Sequence, residues 1–223
     1  MHTVLIFGDL HFPFHSSSKL EKAIALIKRV NPTNILQLGD LYDFYSASSF
    51  PRSQNIMTPK QEIEEGRAHA EKFWARVGKQ APKAKRFQLL GNHDVRPKKR
   101  VIETIPIMES VVMSSLDSLF KFQGVETILS DKDDLEIDGV VYEHGHKGHG
   151  THCLSNHKST VCGHTHRPGL VIHKIRKRIL WELNAGYLAD PDSAVMGYGA
   201  KWWKNWTHSI AVVSDLGPQV ILL

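Results

Sequence analysis

The first half of the chain alternates short apolar runs with longer stretches in which apolar residues recur every three or four positions. The short runs predict β-strands, and the longer stretches predict amphipathic helices with one buried face. Strands are predicted at Thr3–Phe7, Ile35–Leu38 and Arg86–Leu90, and helices at Ser18–Val30 and from Pro59, after Thr58 as N-cap, to about Lys79. A strand, a helix and a strand within roughly thirty residues make a βαβ unit, so we expect the first two strands to be parallel neighbours.

The second half of the chain is richer in strands. One more helix is predicted at Ile105–Phe120. Asp138-Gly139 then separates Leu135–Ile137 from Val140–Glu143, which is the favoured sequence for a two-residue hairpin turn. Further short strands are predicted at Thr160–Cys162, Leu170–His173, Ile179–Leu183, Ile210–Ser214 and Val220–Leu222. No linker rich in Ser, Gly or Pro divides the two halves, so we expect one domain, residues 1–223, with two sheets.

Composition narrows the class of protein. In 223 residues, 28 Lys and Arg against 23 Asp and Glu leave a net charge of +5, which favours anionic partners without requiring nucleic acid. The two cysteines, Cys153 and Cys162, are too few for a disulfide framework, and we expect both to be reduced. The apolar run Val4–Phe7 is far too short for a signal peptide or a membrane segment, so we expect a cytoplasmic protein without a membrane partner.

Histidine is the one residue used unusually often: the chain has 14, and seven of them lie between His144 and His166. Oxygen-bearing side chains also follow glycines at the ends of the first three predicted strands, as Gly8-Asp9, Gly39-Asp40 and Gly91-Asn92. Because the carboxyl ends of parallel strands meet along one edge of a sheet, we expect these side chains to converge. Carboxylate, amide and imidazole ligands without thiolate suit Mn, Fe, Zn, Co or Ni, and the residues alone do not choose among these metals.

Five short motifs follow one another along the chain. They are GDLH at 8–11, GDLYD at 39–43, GNHD at 91–94, HGH at 144–146 and GHTH at 163–166. In this order they resemble the motifs of the calcineurin-like metallophosphoesterase superfamily. The resemblance implies an α/β fold, a four-layer αββα sandwich in which two mixed β-sheets are flanked by helices, and it implies a dinuclear metal centre.

The resemblance assigns the metal ligands position by position. The first ion would be held by Asp9, His11 and His166 and the second by Asn92, His144 and His164, with Asp40 bridging the two. The implied cofactors are two divalent ions from among Mn, Fe, Zn, Ni and Co, with Mn favoured. Such a centre holds its ions close enough to share one hydroxide and to clamp a phosphoryl group.

The resemblance also implies a metal-dependent phosphoric ester hydrolase, a phosphatase or a phosphodiesterase. Hydroxide held by the metals would attack phosphorus, while His93 as the catalytic residue stabilises or protonates the leaving alkoxide. Asp94 would either orient His93 or support the fold. Asn92, Arg96 and His146 are predicted substrate contacts, although Arg96 could instead belong to a solvated helix face and His146 could support the ligands from behind.

Several alternatives stay open from the sequence. The resemblance implies a phosphate mono- or diester as the partner. The net charge and the aromatic residues near the C-terminus favour nucleotides or nucleic acid among such esters. The alternative functions are a DNA-repair-type nuclease and a non-catalytic metal-binding scaffold. Solvated loop positions are expected for His149, His152 and His157. The tryptophans of the segment 184–206 either pack against a sheet or stack on bases; they are Trp202, Trp203 and Trp206. The oligomeric state is not predicted.

Overall fold

Six strands form the first sheet of the computed structural model, which describes residues 2–49, 57–193, 195–196 and 205–223. These strands are β1 (Val4–Phe7), β2 (Asn34–Gln37), β3 (Lys85–Gln88), β4 (Glu126–Thr127), β10 (Ser209–Ser214) and β11 (Gly217–Leu222). Their spatial order is β11-β10-β1-β2-β3-β4. The four strands from β1 to β4 are parallel, which confirms the predicted pairing of the first two, whereas β10 lies antiparallel to β1.

Five strands form the second sheet. They are β5 (Leu135–Ile137), β6 (Val140–Tyr142), β7 (Thr160–Cys162), β8 (Gly169–Ile175) and β9 (Arg178–Asn184), in the order β5-β6-β7-β9-β8. The central strands β6, β7 and β9 are parallel, and the edge strands β5 and β8 are antiparallel to their neighbours. Asp138 and Gly139 join β5 to β6 with φ angles of 51° and 78°, as a primed hairpin turn requires, so the predicted hairpin is confirmed.

The two sheets pack face to face because alternate residues of a strand point to opposite sides. Val4 and Ile6 of β1 lie in a core shared with Tyr142, Val161 and Leu183 of the second sheet. This packing brings the carboxyl ends of the parallel strands of both sheets to one edge of the sandwich, where the predicted site residues follow.

Two long helices, α1 (Ser17–Val30) and α2 (Pro59–Gln80), cover the outer face of the first sheet. The remaining β1 side chains, Leu5 and Phe7, share a buried cluster with Ile24 of α1 and Phe73 of α2. The start of α2 agrees with the prediction because Thr58 forms a capping box: its hydroxyl accepts the backbone N–H of Gln61 at 3.3 Å.

The predicted helix Ile105–Phe120 is wrong in its bounds. The range holds α4 (Glu109–Ser118), while α3 (Arg96–Thr104) ends just before it, and a 3₁₀ turn at Pro106–Met108 joins the two helices. Pro106 has no N–H to donate and excludes the residue before it from the helical region, so Ile105 takes φ −142° and ψ 69°.

A short helix, α5 (His152–Asn156), packs against β7 and β9 of the second sheet. It was not predicted, because five residues are too few to show a helical period. The α/β class, with two mixed sheets flanked by helices, is confirmed. In the described residues, no helix combines the length and the apolar character that crossing a membrane would require.

Candidate metal centre

The side chains predicted as metal ligands meet at the edge of the sandwich where strands of both sheets end. Asp9 follows β1, Asp40 follows β2, Asn92 follows β3, His144 follows β6, and His164 and His166 follow β7, while His11 lies two residues beyond Asp9. Asp9 and His11 have no exposed surface, and most of the others are also buried. Residues from five separate segments therefore form one polar cluster inside the protein.

The backbone at this cluster is strained. Asp9, His11, Asp40, His164 and His166 all have positive φ, between 38° and 67°. Residues other than glycine rarely adopt this left-handed region, and each instance costs about 1–3 kcal/mol. Such strain concentrates at functional sites, where the surrounding fold holds side chains in directions that relaxed strands would not give them.

Gly39 shows why the motifs contain glycine. Its φ is 95°, and a Cβ at this position would lie 2.6 Å from the backbone nitrogen of Gly91. The loops that follow β2 and β3 can approach each other this closely only without a side chain at Gly39. The approach lets the backbone N–H of His93 donate to Asp40 Oδ1 at 2.8 Å.

Two groups of ligand atoms lie within the cluster. The first comprises Asp9, His11 and His166, whose ligand atoms lie within 4.8 Å of one another. In it, Nε2 of His11 is 3.3 Å from Nε2 of His166, which is itself 3.8 Å from Asp9 Oδ2.

The second group comprises Asp40, His144 and His164, again within 4.8 Å of one another. Asn92 joins it, because its Oδ1 is 3.0 Å from His144 Nε2 and 2.8 Å from His164 Nδ1. Asp40 connects the two groups: its Oδ2 is 3.2 Å from His144 Nε2 and 3.8 Å from Nε2 of His11.

Hydrogen bonds behind the cluster set the tautomers of two imidazoles. Nδ1–H of His144 donates to the carbonyl oxygen of Leu38 at 3.0 Å, and Nδ1–H of His11 donates to Asp43 Oδ2 at 2.9 Å. Each ring therefore directs Nε2 into the cluster, which is how metal-binding histidines are usually held.

Oxygen acceptors crowd the middle of the cluster. Nε2 of His144 faces two of them, on Asp40 and Asn92, and in the described residues Asp9 Oδ1 is buried without a hydrogen-bond donor. Acceptors that face one another are satisfied by a cation, since buried polar groups without partners are costly. The donor set of carboxylates, imidazoles and one amide therefore fits divalent metal ions.

Burial and neighbouring charges shift the pKa values of the residues in this cluster. Burial, together with the charge of Asp40, raises the pKa of Asp9 to about 8. Burial would lower the pKa of His144, but Asp40 and Asp9 raise it to about 10. Burial and the neighbouring His144 lower the pKa of His164 to about 4. Without metal, the cluster thus retains protons, on Asp9 and on His144, and bound cations would replace these protons.

Asp43 is a buried residue of the site that sequence reasoning did not assign. Its carboxylate accepts from His11, lies 3.3 Å from Nδ1 of His93, and receives Nη1 of Arg96 at 3.3 Å. Burial alone would raise its pKa, but the charge of His93 and the hydrogen bond from His11 hold the pKa well below its usual value. The signal that could have indicated it is its place as the last residue of the motif GDLYD.

His93 and Arg96 lie together at the border of the cluster. Nη2 of Arg96 donates to His93 Nε2 at 2.8 Å, and Nε2 of His93 is 3.9 Å from Asp40 Oδ2. His93 also lies within ligand distance of His11 and Asp40, but its Nε2 lone pair is engaged by the guanidinium. Burial would lower the pKa of His93, yet the carboxylates of Asp40 and Asp43 raise it.

Asp94 supports the loops around the cluster. Its carboxylate accepts the backbone N–H groups of Gly91 at 2.8 Å, Tyr42 at 2.8 Å and Leu41 at 3.2 Å. These bonds tie the loop after β3 to the loop after β2. Of the two roles left open for Asp94, the structural one agrees with its contacts.

The three predicted substrate contacts do not share one cavity. Asn92 and His146 line a cavity of about 480 Å³, together with Lys99 and Glu143. Arg96 is not part of that lining, and its guanidinium contacts Asp43 and His93.

His152 contradicts the expectation of a solvated loop histidine, because only 1% of it is exposed. Its Nε2 accepts the backbone N–H groups of His146 at 3.2 Å and of Lys147 at 3.1 Å. Beneath it the fully buried Glu182 accepts the backbone N–H of His152 at 2.6 Å. His152, Cys162 and Glu182 are close enough to hold an ion. However, Nε2 of His152 accepts two backbone N–H groups, so the ring proton lies on Nδ1, which faces Glu182 Oε2 at 3.4 Å, and this trio supports the loop that follows His144.

The aromatic segment gives a partial result. Trp206 packs edge-on against His166, with ring centroids 4.4 Å apart, and against Tyr187 at 5.6 Å, so these ring contacts are with segments that follow strands and not with a sheet. Trp202 and Trp203 lie outside the described residues.

Comparison with known proteins places the chain in a family. The Gene 54 protein of Mycobacterium phage L5 is 23% identical over 248 residues, covering 97% of this chain and 90% of that protein, and the Gene 54 protein of phage D29 is 22% identical over the same coverage. Similar solved structures include the phosphoesterase Yfce from E. coli, with a TM-score of 0.48, 16% identity and coverage of 96% of this chain and 88% of that one. Another is a Vps29 mutant from Entamoeba histolytica, with a TM-score of 0.46, 12% identity and coverage of 99% and 98%.

The family model described as calcineurin-like phosphoesterase matches residues 2–168, which is about three quarters of the chain and includes all five motifs. Families of this kind imply divalent metal cofactors and phosphate-ester substrates, and the cluster at the sheet edge has the ligand set for such cofactors. The chain belongs to the calcineurin-like phosphoesterase family.

Proposed function

We propose that this protein hydrolyses phosphate mono- or diesters with two divalent metal ions held at the edge of the sandwich. The observation that carries the proposal is the pair of ligand groups that share Asp40, with lone pairs and carboxylate oxygens directed at one another. A single ion would satisfy one group and leave the other without a cation.

The proposed ligands follow from the two groups. Asp9, His11 and His166 hold the first ion, Asn92, His144 and His164 hold the second, and Asp40 contributes to both. Mn is the first metal to test, with Fe, Zn, Ni and Co as alternatives for the same donors. When bound, such ions polarise phosphoryl oxygens and lower the pKa of water at the site.

The chain's own residues then bind the phosphate and donate a proton to the leaving oxygen. We place Arg96 at the phosphoryl oxygens, since its guanidinium lies at the border of the cluster and a fork of N–H donors matches a phosphate. A phosphate that takes Nη2 of Arg96 removes the donor from His93 Nε2. His93 can then carry a proton on Nε2 and deliver it to the leaving oxygen, while Nδ1–H remains on the Asp43 carbonyl at 3.2 Å.

Asp43 holds this arrangement together as a positioning residue. It accepts from His11 on one side and contacts His93 and Arg96 on the other. The part of the substrate beyond the phosphate would extend into the cavity of about 480 Å³ lined by Asn92 and His146. Groups on this path are mixed in charge, so they favour neither a purely anionic nor a purely cationic substituent.

The test is hydrolysis by the Mn-loaded protein of p-nitrophenyl phosphate, bis-p-nitrophenyl phosphate, cyclic nucleotides and single-stranded DNA. We expect turnover of at least one substrate, its loss on metal removal, and its loss in Asp40→Asn. Asp138→Asn makes the same change at the exposed hairpin turn and should leave turnover unaltered. Protein that carries two ions and hydrolyses none of these substrates would instead be the non-catalytic scaffold.

A further inference from the structure

A cavity of about 690 Å³ lies between α2, β3 and residues 121–124, and none of its lining residues belongs to the metal cluster. Arg67, Trp74 and Gly78 come from α2, Arg86 from β3, and Lys121 from the segment before β4. The cavity is therefore independent of the proposed function and has no role in the chemistry described above.

The guanidinium of Arg86 sits in a space left by two glycines. A Cβ at Gly78 would overlap Nη1 of Arg86, and a Cβ at Gly124 would lie 2.6 Å from its Nη2. Contacts this short do not occur in folded proteins, so a side chain at either position would displace the guanidinium. The two glycines thus form a cradle that holds Arg86 at the cavity wall.

Arg86 is placed there without a partner of its own. Its Nε is buried and has no hydrogen bond, and among the described residues Arg86 forms no ion pair. A guanidinium has five N–H donors in a fixed fork, and leaving a buried donor unsatisfied costs about 1–3 kcal/mol. An arginine at a cavity wall with unused donors is an arrangement suited to binding an oxyanion.

The neighbouring arginine of the same cavity shows the contrast. Arg67 donates to the carbonyl oxygens of Leu119 at 2.5 Å and Lys121 at 2.9 Å, and to Glu71 at 2.7 Å. The donors of Arg67 are therefore used within the fold. Glu71, the acidic residue that lines the cavity, is used as well, because it pairs with Arg67. The positive charges of Arg86 and Lys121 are therefore not neutralised by the acidic residue that lines the cavity with them.

From the cradle, the unused donors and this excess of positive charge, we propose that the cavity binds a small oxyanion, a phosphate or a carboxylate, through the guanidinium of Arg86. Lys121 contributes charge, and the fork of Arg86 supplies paired N–H···O bonds. The binding is reversible and involves no covalent step.

Calorimetric titration of the metal-loaded protein with inorganic phosphate tests the proposal, and a parallel titration with acetate separates phosphate from carboxylate recognition. Phosphate also has access to the metal centre, so we expect two phosphate sites in the wild type and one in Arg86→Gln. Acetate binding that Arg86→Gln weakens at least about tenfold assigns carboxylates to the site as well. Lys22→Gln, an equal change of charge at an exposed position of α1, should keep both sites.

Gly78→Ala provides a second variant, because alanine is the better helix former and the chain should fold while its Cβ displaces Arg86. It too should retain only the phosphate site at the metal centre. Circular dichroism and the melting temperature verify that each variant is folded. The proposal is overturned if the wild type binds phosphate only at the metal centre and binds no acetate, or if both anions bind Arg86→Gln and Gly78→Ala as they bind the wild type.

Discussion

Replacing Glu182 by glutamine should destabilise the protein through the support beneath the His144 loop. Glu182 is fully buried and accepts the backbone N–H groups of Gly150 at 2.5 Å, His152 at 2.6 Å and Cys153 at 3.3 Å. Glutamine has the same shape but only one acceptor oxygen, and its NH₂ group would face a backbone N–H. At least one buried donor would lose its partner.

The pKa of Glu182 gives the expected loss in the free energy of unfolding. Burial alone would raise this pKa, but the hydrogen bonds from His152 and from the backbone of Gly150 lower it from 4.5 to about 2. Each pKa unit corresponds to about 1.4 kcal/mol, so the ionised carboxylate contributes about 3 kcal/mol to the free energy of unfolding at neutral pH. Because the folded pKa lies below the unfolded one, this contribution is complete above about pH 4.5 and is lost as the pH falls toward 2.

The assay is urea unfolding of the metal-free wild type and Glu182→Gln, followed by circular dichroism. We expect the variant to be about 3 kcal/mol less stable at pH 7 and the difference to shrink to less than half at pH 3. Glu136→Gln removes an exposed carboxylate from β5 that pairs with Lys158, and it should cost about 1 kcal/mol or less. A loss in Glu182→Gln no larger than in this control, or one that stays constant down to pH 3, would refute the reasoning.

Four further outcomes are expected at the centre itself. Asp43→Asn should weaken metal binding about 10- to 100-fold in a chelator competition, because an amide in place of the carboxylate would no longer fix the tautomer of His11. His93→Ala should lower turnover about 100-fold or more, and Arg96→Gln about tenfold or more, while metal analysis still finds two ions per chain. Burial raises the pKa of metal-free Asp9 to about 8, and Asp40 and Asp9 raise that of His144 to about 10 despite burial. Protons therefore compete with the metal, and calorimetry should show affinity rising from about pH 6 to about pH 8 without levelling off in that range.

Each of these has a result that contradicts it. Metal affinity unchanged in Asp43→Asn would remove its positioning role, and Asp138→Asn is the matched control. Full turnover in His93→Ala would exclude His93 as the proton donor. Metal affinity that is independent of pH across the stated range would show that Asp9 and His144 do not hold these protons without metal.

The features that could be predicted from the sequence depend on residues that are close together in the chain. Strand ends, each marked by a glycine and an oxygen-bearing residue, predicted that Asp9, Asp40 and Asn92 would converge, because parallel strands bring their carboxyl ends to one edge. The hairpin at Asp138-Gly139 was equally local, since its turn needs two residues that tolerate positive φ.

The missed features depend on partners far apart in the chain. Asp43 acts through His93 and Arg96, about fifty residues away, and Glu182 supports His152 from thirty residues away. No local period records such contacts, and a histidine that the fold buries looks in the sequence like one on a loop. The helix predicted at Ile105–Phe120 is different, because its signal is local: Pro106 can begin a helix, but here it begins a 3₁₀ turn and the α-helix starts at Glu109.

Diffraction data collected at the manganese absorption edge from crystals of the Mn-loaded protein test the central claim most directly. Two anomalous peaks are predicted, one contacted by Asp9, His11 and His166 and the other by Asn92, His144 and His164, with Asp40 touching both. A single peak, no peak, or a peak at His152, Cys162 and Glu182 in place of these two would contradict the dinuclear centre.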